Sequence, residues 1–555
     1  MYLRTTRRKN KDGSVSTYYQ LAHNERHPDT QKPVAKIIHS FGRADTLDRE
    51  QLVRLCRSIA RVCGVEVVDP VDNSNRKGGL PRNVTIVRTL QFGAVSTIAH
   101  MWEQLGIGKT LRDIVQEKKY QPELEKALLA MVANRLCVPE SKLGVWDRWL
   151  DTVYMPQCSA LKLRQMYEAM DMLYEHAEYV EEKIFYQIAN LMNLFVDIIF
   201  YDTTTASFSV DYADEDGPRQ YGHAKEGIWA PQVVVALAVT REGIPVRSWV
   251  FPGNTADVST VKKIKEDLRG WNLGRALFVA DSGMNSHENR QELAKACGKY
   301  LLATRMASVA EIKKTVLSQP GRFKKLKDNM YAKEVALENG KRYIICFNPK
   351  EAKRQAKHRQ DIVAMLEEEL AGHKGNDASA QWAIDLLASR RYKKYLAVSD
   401  TGTVRIDRAA IKAAGKYDGK WVLETNDDTI SLEDAAHGYR GLMVIERCFR
   451  SLKRTQIKMM PMYHWLPRRI EAHVKICILA LLIERIAEIK NDMPWSQIKQ
   501  SLQRVQATQF QTPGHVFFQL NEIAGEANRL LEKLAVPLPA RVFGIKHTPK
   551  STAIV

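Results

Sequence analysis

The sequence predicts an α/β protein built around a mixed sheet, and three observations in its 555 residues support this. Residues 194–304 show strand and helix patterns in the order three strands, helix, strand, helix, strand. Two of these strands, at 194–202 and 276–281, are apolar and end in aspartate. A third acidic residue, Glu446, lies far along the chain on a predicted amphipathic helix.

The composition indicates a globular protein with a polyanionic partner. With 45% hydrophobic and 26% charged residues the chain can form several cores, and 83 Lys and Arg against 64 Asp and Glu give a net charge of +19. Nucleic acid is the partner that this charge favours. The eight cysteines include no CxxC pair, which favours reduced thiols in the cytoplasm. We expect no signal peptide and no membrane span, because the longest apolar run is 476–483.

The first 68 residues predict a small three-stranded sheet followed by a helix at 48–62. The strands are expected at 2–6, 17–22 and 34–41. Arg7 and Arg8 crowd its beginning, and they fit either a contact with DNA or a solvated basic hairpin. The composition of residues 69–83 predicts a linker, since Asn, Gly, Ser and Pro are frequent there.

Residues 84–193 predict an all-helical domain, because their apolar residues recur at helical spacing. DNA binding and dimerisation are both open as roles. The mixed-sheet core is expected at 194–304 and continues at 436–490, around a strand-rich insertion at 305–435 that contains one charged helix at 349–370. Residues 491–555 predict a helical C-terminal region.

Asp202 and Asp281 close the two apolar strands, where ligand-binding groups gather in α/β sheets. A lone aspartate at such a place is more often a cap or a turn residue. Together with Glu446, however, they would form a hard, all-oxygen anionic site, which suits Mg²⁺ or Mn²⁺. Two such ions about 4 Å apart can cleave a phosphodiester.

The stretch 439–453 predicts one amphipathic helix with a second, chemical face. Tyr439, Glu446 and Lys453 recur every seven residues and would stack along one edge over about 20 Å. A carboxylate between a phenol and an ammonium fits a phosphate site. An ordinary amphipathic helix with surface charges is the alternative.

These residues resemble the catalytic triad and the Tyr-Arg-Glu-Lys signature helix of bacterial insertion-sequence DDE transposases, which have an RNase H-like core and a strand-rich insertion domain. Segments 221–226, 253–257 and 469–473 agree with that group. The resemblance spans roughly residues 195 to 490. It implies that Asp202, Asp281 and Glu446 are catalytic and hold two Mg²⁺ ions, which Mn²⁺ can replace.

The resemblance also implies DNA contacts and partners. Tyr439 and Lys453 would contact phosphates, as would Lys225, and Trp421 corresponds in position to a residue that receives a flipped base in hairpin-forming relatives. The partners would be double-stranded DNA, both inverted-repeat ends and target, and a second copy of the chain in a homodimer. One departure is Leu442, where the family usually has Arg; Arg440 or Arg447 could replace it at the phosphate.

The sequence therefore predicts a DNA transposase that cleaves insertion-sequence ends and transfers the strand to target DNA. A metal-dependent endonuclease or resolvase of the same fold, which would cut without joining, is one alternative. An inactive DNA-binding regulator is the other, and Leu442 is the residue that favours it.

Overall fold

The computed structural model describes residues 2–9, 15–26, 33–44, 47, 49–63, 84–225, 227–306, 308–327, 329–338, 340–372, 380–389, 391–399 and 403–547. The chain is a mixed α/β protein that divides into two compact units, Met1–Asn83 and Val84–Val555. The linker predicted at 69–83 lies outside the described residues. None of the described helices combines the length and the apolar character that crossing a lipid bilayer requires.

The first unit contains the antiparallel sheet that the alternating pattern predicts. Its strands are β1 (Tyr2–Lys9), β2 (Val15–Arg26) and β3 (Pro33–Arg43), in the order β1-β2-β3, and helix α1 (Arg49–Cys63) follows. Arg7 and Arg8 are exposed near the end of β1, opposite Thr17 and Ser16 of β2.

The second unit begins with a strand, so the all-helical prediction for 84–193 is wrong at its start. Strand β4 (Thr85–Gln91) contains β-branched residues that suit an extended chain, and it pairs with a strand near the C-terminus. Helices follow it, and α4 is buried along nearly its whole length. These helices are α2 (Gly93–Gln104), α3 (Ile107–Glu117), α4 (Glu123–Cys137), α5 (Lys142–Asp147), α6 (Leu163–Glu175) and α7 (Ala177–Leu191).

A large mixed sheet forms the centre of the second unit. Its first elements are β5 (Ile198–Ser207), β6 (Gln220–His223), β7 (Trp229–Thr240), β8 (Pro245–Pro252), α8 (Asp257–Gly270), β9 (Leu277–Ala280), α9 (His287–Ala294) and β10 (Tyr300–Thr304). The order β8-β7-β5-β9-β10 has β5, β9 and β10 parallel, with β7 antiparallel to β5 and β8. The apolar runs that predicted buried strands therefore lie at the middle of the sheet.

The segment between β10 and residue 431 extends this sheet. Its elements are β11 (Lys324–Lys327), β12 (Met330–Ala336), β13 (Arg342–Phe347), α10 (Pro349–Gly372), α11 (Ala380–Ala388), β14 (Leu396–Val398), β15 (Val404–Ile406), α12 (Arg408–Gly415) and β16 (Lys420–Thr425). The sheet continues from β10 through β16, β13 and β12 to β11, whereas β14 and β15 form a separate hairpin. Sequence patterns predicted a single helix here, but α11 and α12 are present as well.

The remaining elements are α13 (Leu432–Arg440), α14 (Met443–Arg450), α15 (Pro467–Asn491), α16 (Trp495–Leu502), β17 (Gln506–Thr512), β18 (His515–Leu520), α17 (Gly525–Lys533) and β19 (Val542–His547). Helix α15 is apolar on nearly all sides and is buried against α4 and α6. The prediction of a helical region at 491–555 is confirmed for α16 and α17, but it missed three strands, which form the sheet β19-β18-β17-β4 with β4. Its hairpin turns at Pro513 and Gly514 between runs rich in β-branched and aromatic residues.

Candidate active site

Asp202 and Asp281 lie side by side because two parallel strands are in register. Tyr201 of β5 is paired with Ala280 of β9, and each aspartate is the next residue in its chain. Neighbouring strands are about 4.8 Å apart, so the two backbones pass each other at that separation. The structure thus brings these two predicted residues together at the C-terminal ends of two neighbouring central strands.

The helical segment that carries Glu446 covers this part of the sheet through one close contact. A Cβ atom built on Gly441 would lie 2.4 Å from the ring of Phe200, so the helix backbone rests on that ring. Phe200 and Asp202 are two residues apart on β5 and therefore point to the same face. Glycine at 441 lets the segment approach the face that bears Asp202.

The single helix predicted for 439–453 is instead interrupted. Helix α13 ends at Arg440 and α14 begins at Met443, and between them the Leu442 and Val444 amides donate to carbonyls only three residues back. A π-helical turn, Ser451–Thr455, then carries Lys453. Tyr439, Glu446 and Lys453 therefore belong to three successive segments rather than to one straight edge.

Tyr439 connects this segment to the strand ends. Its hydroxyl donates a hydrogen bond of 3.2 Å to Oδ1 of Asp281. Burial raises the pKa of Tyr439, and the negative charges of Asp281, Glu446 and Asp202 raise it further. The three predicted carboxylates thus act electrostatically on one phenol. Glu446 itself is exposed in the first turn of α14, and Asp281 is exposed at the end of β9.

Asp202 is the most buried carboxylate of this group. Burial raises its pKa to about 6, and the charges of Asp257 and Asp281 add to the rise. The positive charge of Lys225 lowers the pKa of Asp202, since Nζ of Lys225 lies 3.6 Å from Oδ1 of Asp202. Lys225, which was predicted to contact a DNA phosphate, therefore lies beside Asp202, a catalytic candidate.

Asp257 is a site residue that the sequence reasoning did not single out. Its carboxylate accepts a hydrogen bond of 2.6 Å from Oγ1 of Thr203 and lies 3.7 Å from Nζ of Lys225. It begins α8 within the segment 253–257, which was noted only for its family resemblance. Its position directly after a strand and a turn was the available signal. Glu226, at the end of the segment 221–226, lies outside the described residues.

Lys453 lies beside β5, close to a residue that follows Asp202 in the strand. Its Nζ lies 3.3 Å from Oγ1 of Thr204, two residues after Asp202. Lys225 and Lys453 therefore place ammonium groups close to the strand that bears Asp202. This is a suitable arrangement for holding the phosphates of a chain that passes the carboxylates.

The other predicted contacts lie in different surroundings. Arg440 is exposed, with a guanidinium nitrogen 3.9 Å from the sulfur of Met330, and Arg447 is exposed and lines a cavity with Glu484 and Arg485. Trp421 is half-buried on β16 opposite Cys346, and its indole nitrogen has no hydrogen-bond partner among the described residues.

Leu442, the departure from the family pattern, is 8% exposed and packs in the core. Its side chain therefore does not stand in for an arginine at the phosphate.

The donor set suits a hard cation, although its members are spread. No three His, Cys, Asp or Glu side chains in the described part of the chain stand close enough together to hold a metal ion as they are. Asp202 and Asp281 at neighbouring strand ends, with Glu446 acting on the same phenol, nevertheless supply only carboxylate oxygens. Oxygen donors of this kind are those that Mg²⁺ and Mn²⁺ prefer.

Comparisons with known proteins identify the families that this chain resembles. The family described as "Transposase DDE domain" matches residues 197–483, and the "IS1634 family transposase, N-terminal domain" matches residues 3–69. No curated protein matches the chain. A solved structure, "Cryo-EM structure of piggyBac transposase synaptic complex with hairpin DNA (SNHP)", is 10% identical with a TM-score of 0.35, over 69% of this chain and 70% of that one.

Proposed function

This chain belongs to the DDE transposase family, and we propose that Asp202, Asp281 and Glu446 are its three catalytic carboxylates. As a member of that family it is an enzyme of DNA transposition, which cleaves DNA and transfers the cut strand. The observation that carries the assignment is the Tyr439–Asp281 hydrogen bond, since it links the helical segment before Glu446 to one of two paired strand ends.

We propose further that the central sheet is an RNase H-like core. In chain order, β5, β7, β8, β9 and β10 are its first to fifth strands, and the observed arrangement β8-β7-β5-β9-β10 is then 3-2-1-4-5. The first, fourth and fifth strands are parallel and the second is antiparallel to the first. This topology supports the proposal, because it puts the first and fourth strand ends next to each other.

Divalent metal ions are general in this family, and we propose two Mg²⁺ ions here, for which Mn²⁺ can substitute. Asp202, Asp281 and Glu446 would hold them. When bound, the ions would activate a water molecule and stabilise the leaving oxygen of the phosphodiester. Because the carboxylates are spread in the described structure, we expect binding of metal and DNA to draw Glu446 toward the strand ends.

The protein's own groups orient the carboxylates and the phosphates. Tyr439 fixes one oxygen of Asp281 through its hydrogen bond. Lys225, held between Asp202 and Asp257, would keep Asp202 ionised and offer its remaining donor capacity to a phosphate. Lys453 would contact the next phosphate along the strand, because it lies beside Thr204.

The reaction would proceed in two steps on DNA. Water attacks a phosphodiester at the element's end and releases a 3′-hydroxyl, which then attacks a second phosphodiester in the opposite strand or in target DNA. Arg7 and Arg8 of the N-terminal unit, Arg440, Arg447 and Trp421 remain proposed contacts to this DNA. We also propose that the enzyme works as a homodimer, at the nucleoid in the bacterial cytoplasm.

The test is Mg²⁺-dependent cleavage and strand transfer on a duplex that carries the inverted repeat flanking the gene. We expect joined product from the wild type and none from Asp202→Ala, Asp281→Ala or Glu446→Ala, each with unchanged DNA binding. The control is Glu433→Ala, which removes an exposed carboxylate from α13. Retained cleavage by Glu446→Ala would refute the assignment, and cutting without joining would favour a nuclease.

A further inference from the structure

A cavity of about 880 Å³ lies outside the carboxylate site, among α4, α5, α6, α15 and the segment 458–466 that follows the π-helical turn. Six of its lining residues carry the argument below: Arg135, Lys142, Lys458, Tyr463, Trp465 and His473. None of them takes part in the arrangement around Asp202. We call this space the basic cavity.

The wall of the basic cavity holds buried cations that have no carboxylate partner. Lys142 is 4% exposed, with Nζ 2.8 Å from Nδ1 of His473, and Arg135 is 6% exposed and donates to the carbonyl of Lys458 at 3.2 Å. Neither forms an ion pair within the described residues. Among the lining residues the carboxylate of Glu140 lies 2.9 Å from Arg148 instead.

Such an arrangement is costly without an anion. Buried charges are normally paired, because desolvation of an unpaired one costs several kcal/mol. Burial lowers the pKa of Lys142 to about 7, and the charge of Arg135 lowers it further. An anion inside the basic cavity would offset both effects. Arg469, also on the wall, is already paired with Asp171 at 2.9 Å.

Aromatic rings stand at the mouth of the cavity. Tyr463 is 64% exposed and Trp465 is 54% exposed. Trp465 is held by stacking on Tyr212, at 5.2 Å between ring centroids, and by the guanidinium of Arg219 above it at 5.1 Å. Exposed rings beside cations are the combination that binds an unstacked nucleotide, with the base on a ring and the phosphate on a cation.

The segment that lines the basic cavity contacts the end of β5. The Ser207 amide donates to the sulfur of Met460 at 3.3 Å, and Phe208 forms a bridge with Met462. Ser207 is five residues after Asp202, a distance of about 16 Å along a strand. At 3.4 Å of rise per nucleotide, this corresponds to about five nucleotides. Lys453 lies between the two places.

We propose that the basic cavity binds one nucleotide of the DNA strand that the catalytic carboxylates cut, about five nucleotides from the cut phosphate. Its phosphate meets Arg135, Lys142 and the exposed Lys458, and its base lies against Tyr463 and Trp465. The inference rests on the proposed function, since it takes the strand at Asp202 as the substrate.

The experiment measures binding without catalysis. A fluorescent 20-nucleotide strand carrying the terminal repeat is titrated in EDTA at several salt concentrations with wild type and with the double variant Lys458→Ala/Tyr463→Ala. We expect at least about tenfold weaker binding, and a salt slope lower by about one unit. The matched control is Lys109→Ala/Tyr179→Ala, which removes an exposed lysine and an exposed tyrosine outside the cavity. Equal binding by the double variant and the control would overturn the proposal.

A second variant replaces the buried lysine in the wall of the basic cavity. Lys142→Gln should weaken binding to a similar degree, and thermal unfolding of the variant shows whether it is folded. If it is unfolded, the double variant decides the question, because Lys458 and Tyr463 are exposed.

Two further experiments distinguish a nucleotide within the DNA strand from a free nucleotide. They also distinguish failure of this inference from failure of the proposed function. Strands with 5-iodouracil at single positions should cross-link to the peptide containing Tyr463 only near the fifth nucleotide from the cut. Thymidine 5′-monophosphate that binds the wild type, while strand binding is unaffected in the double variant, would indicate a free-nucleotide site and overturn the proposal. Failure of the wild type to bind the strand, while it still binds the terminal-repeat duplex, would overturn this inference and leave the catalytic assignment intact. Failure to bind either DNA would count against the DNA partner and hence against both proposals.

Discussion

The hydroxyl of Tyr439 donates a hydrogen bond of 3.2 Å to Oδ1 of Asp281, although the two residues are 158 positions apart in the chain. The bond joins α13 to the end of β9, so the orientation of one proposed metal ligand depends on the helix that precedes another. The carboxylate constellation is therefore held partly by a phenol rather than by the strands alone.

Tyr439→Phe should slow DNA cleavage by about 10- to 100-fold, since a hydrogen bond to a charged group is worth about 1.5–3 kcal/mol. The ring remains in place, so equilibrium DNA binding should change by less than about twofold. Single-turnover cleavage rates measure the first effect and titration of labelled duplex the second. Tyr174→Phe, at an exposed tyrosine of α6, is the control. A Tyr439→Phe enzyme with the wild-type rate would show that the bond does not orient Asp281 during the reaction.

Gly441→Ala should reduce activity by at least about tenfold and lower the free energy of unfolding by about 1–3 kcal/mol. The reason is that its Cβ would lie 2.4 Å from the ring of Phe200, so α13 and α14 must move away from the sheet. Gly270→Ala is a matched control, because nothing lies within 4 Å of a Cβ there. Urea unfolding and cleavage assays on both variants test this, and equal behaviour of the two would contradict it.

Much of the fold follows from the sequence because strand patterns are local. The apolar runs at 194–202 and 276–281 predicted β5 and β9, and the alternating N-terminal residues predicted β1 to β3. The tight turn at Gly441 was not predictable from helical periodicity, since it depends on the Phe200 ring of a distant strand. Likewise, β4 is a strand because β17 lies beside it, although the sequence places the two more than 400 residues apart.

The sequence singled out candidate site residues where their chemistry is distinctive, and it missed a neighbouring residue whose contacts depend on packing. Asp202, Asp281 and Glu446 stood out as acidic residues after apolar runs or on an amphipathic helix. Asp257 did not, because an aspartate at a helix start has an ordinary capping role. Only the structure shows that its carboxylate accepts a bond from Thr203 and lies 3.7 Å from Lys225.

Asp257→Asn should lower the cleavage rate by about tenfold, because a small displacement of a positioning group has an effect of that order. The amide cannot hold Lys225 between two negative charges, and the lysine would move relative to Asp202. Single-turnover rates with Asp113→Asn, an exposed carboxylate on α3, provide the comparison. The double variant Asp257→Asn/Lys225→Met should then lose less than the sum of the single losses. Strictly additive losses would argue that the two residues act independently.

We expect Glu484 to make the stability of the protein depend on pH. Burial raises the pKa of this carboxyl, which accepts a 2.7 Å hydrogen bond from Ser451, from 4.5 to about 7. The folded state therefore holds the proton more tightly than the unfolded state, and the free energy of unfolding falls as the pH rises from about 4.5 to 7. The loss from this group is up to about 3 kcal/mol and is complete above pH 7.

Glu484→Gln should remove this contribution, so that the variant is more stable than the wild type at pH 8 and shows a flatter profile between pH 5 and 8. Denaturant unfolding at several pH values measures it, with Glu433→Gln at an exposed site of α13 as the control. A variant that is less stable than the wild type at pH 8 would show that the ionised carboxylate stabilises the fold.

Leu442→Arg tests whether the family's usual arginine can be restored at this position. Leu442 is 8% exposed and lies at the turn between α13 and α14, so an arginine there must either bury its charge or displace the turn. We expect a loss of at least about 2 kcal/mol in the free energy of unfolding and no gain in cleavage. Met443→Arg, at the neighbouring residue that is 50% exposed, should leave stability nearly unchanged. An increase in cleavage by Leu442→Arg alone would instead mean that the arginine reaches the phosphate and that the native leucine limits this enzyme.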